Sequence, residues 1–426
     1  MMKQLYTISL LLLSVSILSA RSLDREKTRS VYCQYDFQTE CADAPAPEGF
    51  KPFYISHYGR HGARYIYNDS EYGLLHEVFC RAAEAGVLTP LGKDLHDRFM
   101  KVYPHFHGRA GELTIYGQDQ HRRLAGRMLE AFPEIFRNDS RVDAVSSTYS
   151  RCIMSMNAFC DVLRCNGIAV SEDVDGRKMC FLVPYTRHNP RFKGEDQSWR
   201  KEYGDYFDSR FDRKTFYARL FTDSSFAEAI EEDMNFIMTL YYMDAHMAGT
   251  EYPELGFAEA FSDADYALCN EMDNIKFYMR KGWGEGRQGS VNVALGEALM
   301  RDILDKAEQT VATGRTGADL RFGHDGAVMT LLAFLRAEGW DHKADDMSDI
   351  RNVWNSCEVP MASNIRFIFF RKGDTVLVKV QHNENDLKLP VASYEGPYCL
   401  WEDFKAFYRN LIKESDSILD SYSPAA

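Results

Sequence analysis

Three times along this chain an apolar run that reads as a strand ends in a polar turn, and helical patterns follow. The first run is Phe50-Lys51-Pro52-Phe53-Tyr54-Ile55, leading into Ser56-His57-Tyr58-Gly59-Arg60-His61-Gly62-Ala63-Arg64. The second is Val142–Thr148, which enters Tyr149-Ser150-Arg151-Cys152 and then a stretch with Ile153, Met156, Phe159, Cys160 and Leu163 at helical spacing. The third is Ala318–Gly323, which enters His324-Asp325-Gly326 before a helix bearing Val328, Leu331, Leu332 and Leu335. Strands that alternate with helices build α/β sheets. The expected fold is therefore α/β, a central, mostly parallel sheet flanked by helices in three layers. In such sheets ligands bind outside the carboxyl ends of the strands, so the three turns are expected to converge on one pocket.

The residue types in these turns suit an anion. Arg60 and Arg64 each offer a planar fork of donors that matches phosphate oxygens. His61 stands between them, and like charge disfavours its protonated form, which leaves a neutral, nucleophilic nitrogen. Gly62 is expected to let the backbone approach a ligand. Arg151 opens a helix, where free backbone N–H groups and the helix dipole favour negative charge. Fixed cations around an uncharged imidazole fit attack on a phosphoryl group. The plain alternatives are a basic surface turn for the first stretch and a turn-capping arginine for Arg151.

Arg60-His61-Gly62-Ala63-Arg64 resembles the Arg-His-Gly-x-Arg signature of the histidine phosphatase superfamily. Leu113-Thr114-Ile115-Tyr116-Gly117, followed by Gln118-Asp119-Gln120-His121, is similar to another stretch recurrent in that superfamily. With Arg151 after a middle strand and a late His324-Asp325, the order resembles branch 2, the histidine acid phosphatases. Phytases and multiple inositol polyphosphate phosphatases belong to that branch. The resemblance implies that His61 becomes phosphorylated, that Arg60, Arg64, Arg151 and His324 hold the phosphate, and that Asp325, protonated at working pH, gives a proton to the leaving oxygen. It implies no cofactor, no metal and a small anionic phosphomonoester as substrate, inositol phosphates such as phytate among them. Two departures stand out. Tyr65-Ile66 follows Arg64 where many acid phosphatases place a proline, and His-Asp-Gly stands where inositol polyphosphate phosphatases often have His-Ala-Glu. Two other readings use the same residues: an exported binding protein for phosphorylated small molecules, and a phosphoglycerate-mutase-like phosphotransferase. His61 and Asp325 argue against the first. The N-terminal leader and an Asp as the acid argue against the second.

The rest of the chain sets bounds. Its 426 residues suffice for two domains. A net charge of -13 argues against nucleic acid or an anionic membrane as partner. Met1-Met2-Lys3, the apolar Leu10–Leu18 and Ser19-Ala20 read as a signal peptide over 1–20, followed by Arg21 and not by the cysteine of a lipid anchor. The expectation is an exported protein, periplasmic or secreted, with no membrane anchor. Ten cysteines fit that setting without metal-type spacing, and Cys33 with Cys41 is the easiest local pair to imagine. Residues 21–45 read as a polar, irregular tail. The α/β domain is expected to take 21–165 and 318–426, with a mainly helical insertion over 166–317. Arg187, His188, Arg191 and Lys193 cluster near the start of that insertion and could meet further phosphates, though a solvated loop is the simpler reading. Gly284-Glu285-Gly286-Arg287-Gln288-Gly289 fits a dinucleotide-binding pattern, but no strand precedes it, so it reads as a loop between helices. Oligomeric state is not legible.

Overall fold

The strand Lys51–Arg60 (β1) is the one about which the others are arranged, and every residue from Phe53 onward is buried. The computed structural model describes residues 24–39, 43–230, 233–284 and 286–422. The leader over 1–20, and Cys41, lie outside the described residues. β1 runs longer than expected, because Ser56–Gly59 belong to the strand and not to the turn. The polar groups there find partners inside: Ser56 Oγ accepts from Arg321 at 2.9 Å, and the Tyr58 hydroxyl donates to the Leu182 carbonyl at 2.8 Å. A strand covered on both faces shows no alternation with solvent, so period-2 reasoning stops short there.

The other strands are β2 (Arg141–Ser146), β3 (Val170–Asp173), β4 (Gly317–Gly323), β5 (Asn364–Lys372), β6 (Thr375–His382), β7 (Asn385–Asp386), β8 (Ser393–Glu395) and β9 (Tyr398–Leu400). The sheet is mixed. Its order is β3-β2-β4-β1-β5-β6-β9-β8, with β7 paired to β6. The parallel pairings are confined to β3-β2-β4-β1, and everything from β5 outward is antiparallel. The hairpin expected around Arg371-Lys372-Gly373-Asp374 is β5–β6, and Gly373 turns with φ +56°.

Four helices lie between β1 and β3: α1 (Asp69–Glu84), α2 (Pro90–Phe106), α3 (Ile115–Ala131) and α4 (Ser150–Cys165). On one face of the sheet, Ile55, Leu320, Phe322 and Ile368 pack against α3 and α4. On the other, Tyr54, Tyr58, Phe367 and Phe369 meet the helices Glu297–Thr313, Asp325–Phe334 and Trp401–Ser421. Each such side chain contributes roughly 1.5–3 kcal/mol when fully buried, which makes these two layers the main cohesion of the sheet.

The remaining helices form a body beside the sheet. α1 packs on the helix Asp233–Met247, and α2 packs on Arg213–Leu220. A Cβ on Gly92 would sit 2.1 Å from the Leu220 carbonyl, so this close approach requires glycine. The helical body thus draws on residues before β2 as well as on the later stretch. Within 166–317, β3 pairs with β2, and the helix Glu297–Thr313 packs on β1. The glycine-rich 284–289 stretch is not the loop expected, because Gly286–Gly289 already belong to the helix Gly286–Ala294. No helix among the described residues is long and apolar enough to cross a membrane.

Candidate active site

β1, β4 and β2 are adjacent and parallel, and they end at one level. Arg60 lies opposite Gly323, and Ser146 opposite Phe322. The ladder carries on past the strand ends, with His61 N–H donating to the Gly323 carbonyl at 2.9 Å and Ser147 N–H to the Phe322 carbonyl at 3.0 Å. The three turns therefore leave one edge of the sheet. His324 caps the helix Asp325–Phe334, Asp325 lies in that helix's first turn, and Arg151 lies in the first turn of α4. All six residues singled out in the sequence come together there: Arg60, His61, Arg64, Arg151 and His324 are buried, and Asp325 pairs with Arg60.

His61 has one nitrogen committed. Its Nδ1 lies 2.8 Å from the Gly62 carbonyl, which can only accept, so Nδ1 carries the hydrogen and Nε2 keeps its lone pair. Burial, followed by Arg151, Arg60, Arg64 and His324, holds the imidazolium pKa well below its usual value. Like charge, put first in the sequence reading, ranks behind burial. The His324 ring stands edge-on to His61 with centroids 5.6 Å apart. Its Nδ1 lies 3.4 Å from Arg151 Nη2 and its Nε2 3.2 Å from Ser147 Oγ. Burial and Arg151 push His324 down to about 3.

The arginines are only partly satisfied. Arg60 Nη1 donates to the carbonyls of Val31 (2.6 Å) and Val359 (2.8 Å), and its Nη2 lies 3.0 Å from Asp325 Oδ2. Arg64 Nη1 donates to the Tyr65 carbonyl at 2.8 Å. Its guanidinium lies 5.2 Å from the Tyr32 ring centroid and 5.6 Å from that of Tyr67. Arg151 lies 4.9 Å from the Tyr149 centroid and 5.6 Å from that of Tyr67. The Nε atoms of Arg60, Arg64 and Arg151 are all buried without a hydrogen-bond partner. An unpaired buried charged donor is costly, and three of them cluster around one histidine, where an anion could satisfy them.

Asp325 differs from the sequence expectation. Burial raises its pKa, but Arg60, Arg64 and His324 outweigh burial and hold the carboxyl down at about 2. These neighbours favour the ionised carboxyl, whose Oδ1 accepts from the Gly326 N–H at 2.7 Å. A protonated Asp325 requires that something neutralise the arginines first.

Gly62 permits a close approach within the fold. A Cβ there would lie 2.2 Å from the Gly117 carbonyl, and one on Gly117 would lie 2.2 Å from the Ala63 carbonyl. These glycines let the turn after β1 press against the start of α3. Gln120 Oε1 accepts from Ala63 N–H at 2.8 Å and Ser155 Oγ from Gly62 N–H at 3.2 Å, which fixes the turn from behind. Sequence reasoning missed these two and the tyrosine frame of Tyr32, Tyr67 and Tyr149. Tyr149 adjoins the second turn, and Tyr67 follows the first. Tyr32 was hidden in the supposed tail, where Ser30, Val31, Tyr32, Cys33 and Tyr35 are in fact buried. Their apolar alternation was the available signal. Arg191 is drawn away from the site, with Glu297, Asp416 and Asp420 around it. Arg187 is exposed. Among the described residues no group of three or more His, Cys, Asp or Glu is placed to hold a metal ion.

No protein-family model matches the sequence. Solved structures do resemble it. The multiple inositol polyphosphate phosphatase of Bifidobacterium longum in complex with phosphate is 18% identical with a TM-score of 0.74, over 90% of this chain and 97% of that chain. Its complex with inositol hexasulfate gives the same figures. The phytase from D. castellii is 12% identical with a TM-score of 0.68, over 94% of this chain and 88% of that one. The likeness is one of fold: this chain has the fold of the histidine acid phosphatases.

Proposed function

We propose that this protein is a phosphomonoester hydrolase that works through a phosphohistidine and acts on inositol phosphates such as phytate. One observation carries the reading: a histidine with a free Nε2 lone pair lies among three buried arginines whose Nε donors have no partner. The fold likeness to phytases and an inositol polyphosphate phosphatase supports the substrate class. A cleft of about 580 Å³ runs between α1 and the helices Asp233–Met247 and Asp263–Lys281, and Tyr242 in its lining stands 5.7 Å from the Tyr32 ring that lies beside Arg64. Glu71, Lys276 and Arg280 line it, and it offers room for a substituted ring.

In the proposed cycle Arg60, Arg64, Arg151 and His324 hold the phosphate and stabilise charge on its equatorial oxygens in the transition state. His61 Nε2 forms the new bond to phosphorus as the P–O bond to the alcohol breaks. The departing oxygen takes a proton from Asp325. That proton is available because the bound phosphate supplies the negative charge that Arg60 and Arg64 otherwise draw from Asp325, so its pKa rises on binding. Water then attacks phosphorus, Asp325 takes back a proton, and the P–N bond breaks to release orthophosphate. The exported setting rests on the N-terminal pattern of 1–20, and the absence of a cofactor on the resemblance. The test is orthophosphate release from phytate by the purified protein in the presence of a chelator, with an acid-quenched search for phosphohistidine. Tight phosphate binding without release would make it a binding protein instead.

A further inference from the structure

Arg60 is held by two carbonyls from opposite ends of the chain, Val31 and Val359. Each lies two residues from a cysteine, Cys33 and Cys357. The segments that carry them are short helical turns, Ser30–Tyr32 and Ser356–Glu358, and they pack against each other. Ser30 Oγ and Ser356 Oγ are 2.8 Å apart, and Met361 N–H donates to the Cys33 carbonyl at 2.9 Å. Asn270 ties both from one side: its Oδ1 accepts from Ser30 N–H at 2.8 Å and lies 3.5 Å from Cys357 Sγ. Cys33 Sγ donates to the Glu26 carbonyl at 3.2 Å, and the packing of the two turns brings the Cys33 and Cys357 side chains side by side. Both are thiols in this structure.

We propose that Cys33 and Cys357 form a disulfide that braces the Arg60 clamp. The local Cys33–Cys41 pair, the easiest to imagine from sequence, is thereby replaced by a link across nearly the whole chain. Oxidation proceeds by exchange. The Cys33 thiolate attacks the disulfide of an oxidant of the thiol–disulfide exchange class, and one thiol leaves. Cys357 sulfur then attacks Cys33 sulfur and expels the second thiol. Two S–H bonds are lost, one S–S bond forms, and the oxidant's disulfide becomes two thiols. The interaction with Cys357 lowers the Cys33 pKa despite burial, which fits Cys33 as the attacking group. The consequence reaches the site directly: Val31 and Val359 hold Arg60 at Nη1, and Tyr32 lies beside Arg64. A covalent link between their segments keeps the two arginines in place when the site is empty.

The test uses the whole protein, equilibrated in glutathione disulfide or in a phosphine reductant, alkylated under denaturing conditions and digested for mass spectrometry. A linked Cys33–Cys357 peptide is expected only in the oxidised sample. Reduction should lower the Tm by about 5 °C and weaken binding of inorganic phosphate about fivefold through lost pre-organisation. The Cys33→Ser/Cys357→Ser protein should bind phosphate equally with and without reductant. Alkylation of both cysteines in the oxidised sample, or a link from Cys33 to another cysteine, overturns the proposal. So does a linked peptide whose reduction changes neither Tm nor phosphate affinity. None of these readouts needs turnover, so the disulfide can fail while the hydrolase reading stands, and the reverse.

Discussion

The carboxyl edge of the parallel strands and the helical wall beside it are both rich in cations, but the cations are used differently. On the wall Lys276, Arg280 and Lys281 each meet a carboxylate. Arg280 makes two hydrogen bonds to Glu195, at 2.9 and 2.8 Å, and Lys281 lies 3.3 Å from the same group. Lys276 lies 2.5 Å from Asp273. At the edge Arg60, Arg64 and Arg151 share one partner among the described residues, Asp325, which pairs with Arg60 alone. Their Nε donors are buried and unpaired. A cation with its own carboxylate is satisfied within the fold, whereas a buried cation without one keeps donors that an anion can use. Charge counts in a sequence do not separate the two, but partners in space do.

The sharpest way to break this comparison is to remove the group that the edge cations surround. His61→Ala should abolish the phosphoenzyme with every substrate and reduce turnover by at least about 10⁴-fold, since covalent catalysis is lost outright. Phosphate should still bind, because the arginines remain. Surviving phosphohistidine in this variant would move the nucleophile elsewhere.

Acid sharpens the comparison at the level of stability. His57, His61, His121 and His324 lie under or at the edge, His246 in the helical body and His382 on β6, and the pKa of each is lowered, by burial first of all. The values reach about 3 for His121, His324 and His382 and about 4 for His246. The folded protein keeps them neutral while the unfolded chain takes up protons near pH 6.5, so stability is full above that pH and falls as pH drops below it. Each histidine contributes up to about 1.4 kcal/mol per pH unit, so the urea midpoint should fall clearly between pH 7.5 and 5.5. Saturating phosphate should restore part of the loss, because a bound anion stabilises the folded form that holds it. A midpoint independent of pH over that range would mean that these imidazoles are not buried neutral.

Asp325 is next in size. Asp325→Asn should cost about 10²–10⁴-fold in kcat/KM with an inositol phosphate, whose alcohol needs a proton to leave. The loss with p-nitrophenyl phosphate should be much smaller, since its phenolate leaves without one. Because Arg60, Arg64 and His324 hold the Asp325 carboxyl down, the wild-type ratio between the two substrates should also depend on pH. Equal losses with both substrates would assign Asp325 to electrostatics and not to proton transfer.

The edge was legible because each of its turns is local: a strand, a polar residue with no core role, a helix. Arg60, Arg151 and His324 could be set at strand ends without knowing which strands were neighbours, and the adjacency of β2, β4 and β1 then aligned them. Where β1 ends was misread, because Ser56 and His57 are polar yet buried. The protonation state of Asp325 could not be read, since it depends on how closely Arg60 approaches from another strand. Tyr32 and the Val31 and Val359 carbonyls were hidden for the same reason, as their partners lie far away in sequence. The wall was least legible of all. In the cluster of Arg187, His188, Arg191 and Lys193, read as a solvated loop that could meet further phosphates, the carboxylates of Arg191 come from the distant residues Glu297, Asp416 and Asp420.

Arg191 therefore gives the smallest predicted effect and the cleanest contrast with the edge. Its Nη1 lies 3.5 Å from Glu297 Oε1, it also pairs with Asp416, and its Nη2 lies 3.2 Å from Asp420 Oδ1. Arg301 reaches two of the same carboxylates, Glu297 at 2.9 Å and Asp416 at 3.0 Å, so neither is left without a cation when Arg191 is removed. Partly exposed ion pairs of this kind are worth about 0.2–1 kcal/mol each. Arg191→Ala should then lower stability by about 1 kcal/mol and leave kcat/KM unchanged for both phytate and p-nitrophenyl phosphate. Arg191→Ala with Arg301→Ala should cost more than the sum of the two, because Glu297 is buried and would lose both of its arginines. A loss confined to the multiply phosphorylated substrate, with stability intact, would place Arg191 among the groups held for a ligand and erase the distinction drawn here between wall and edge.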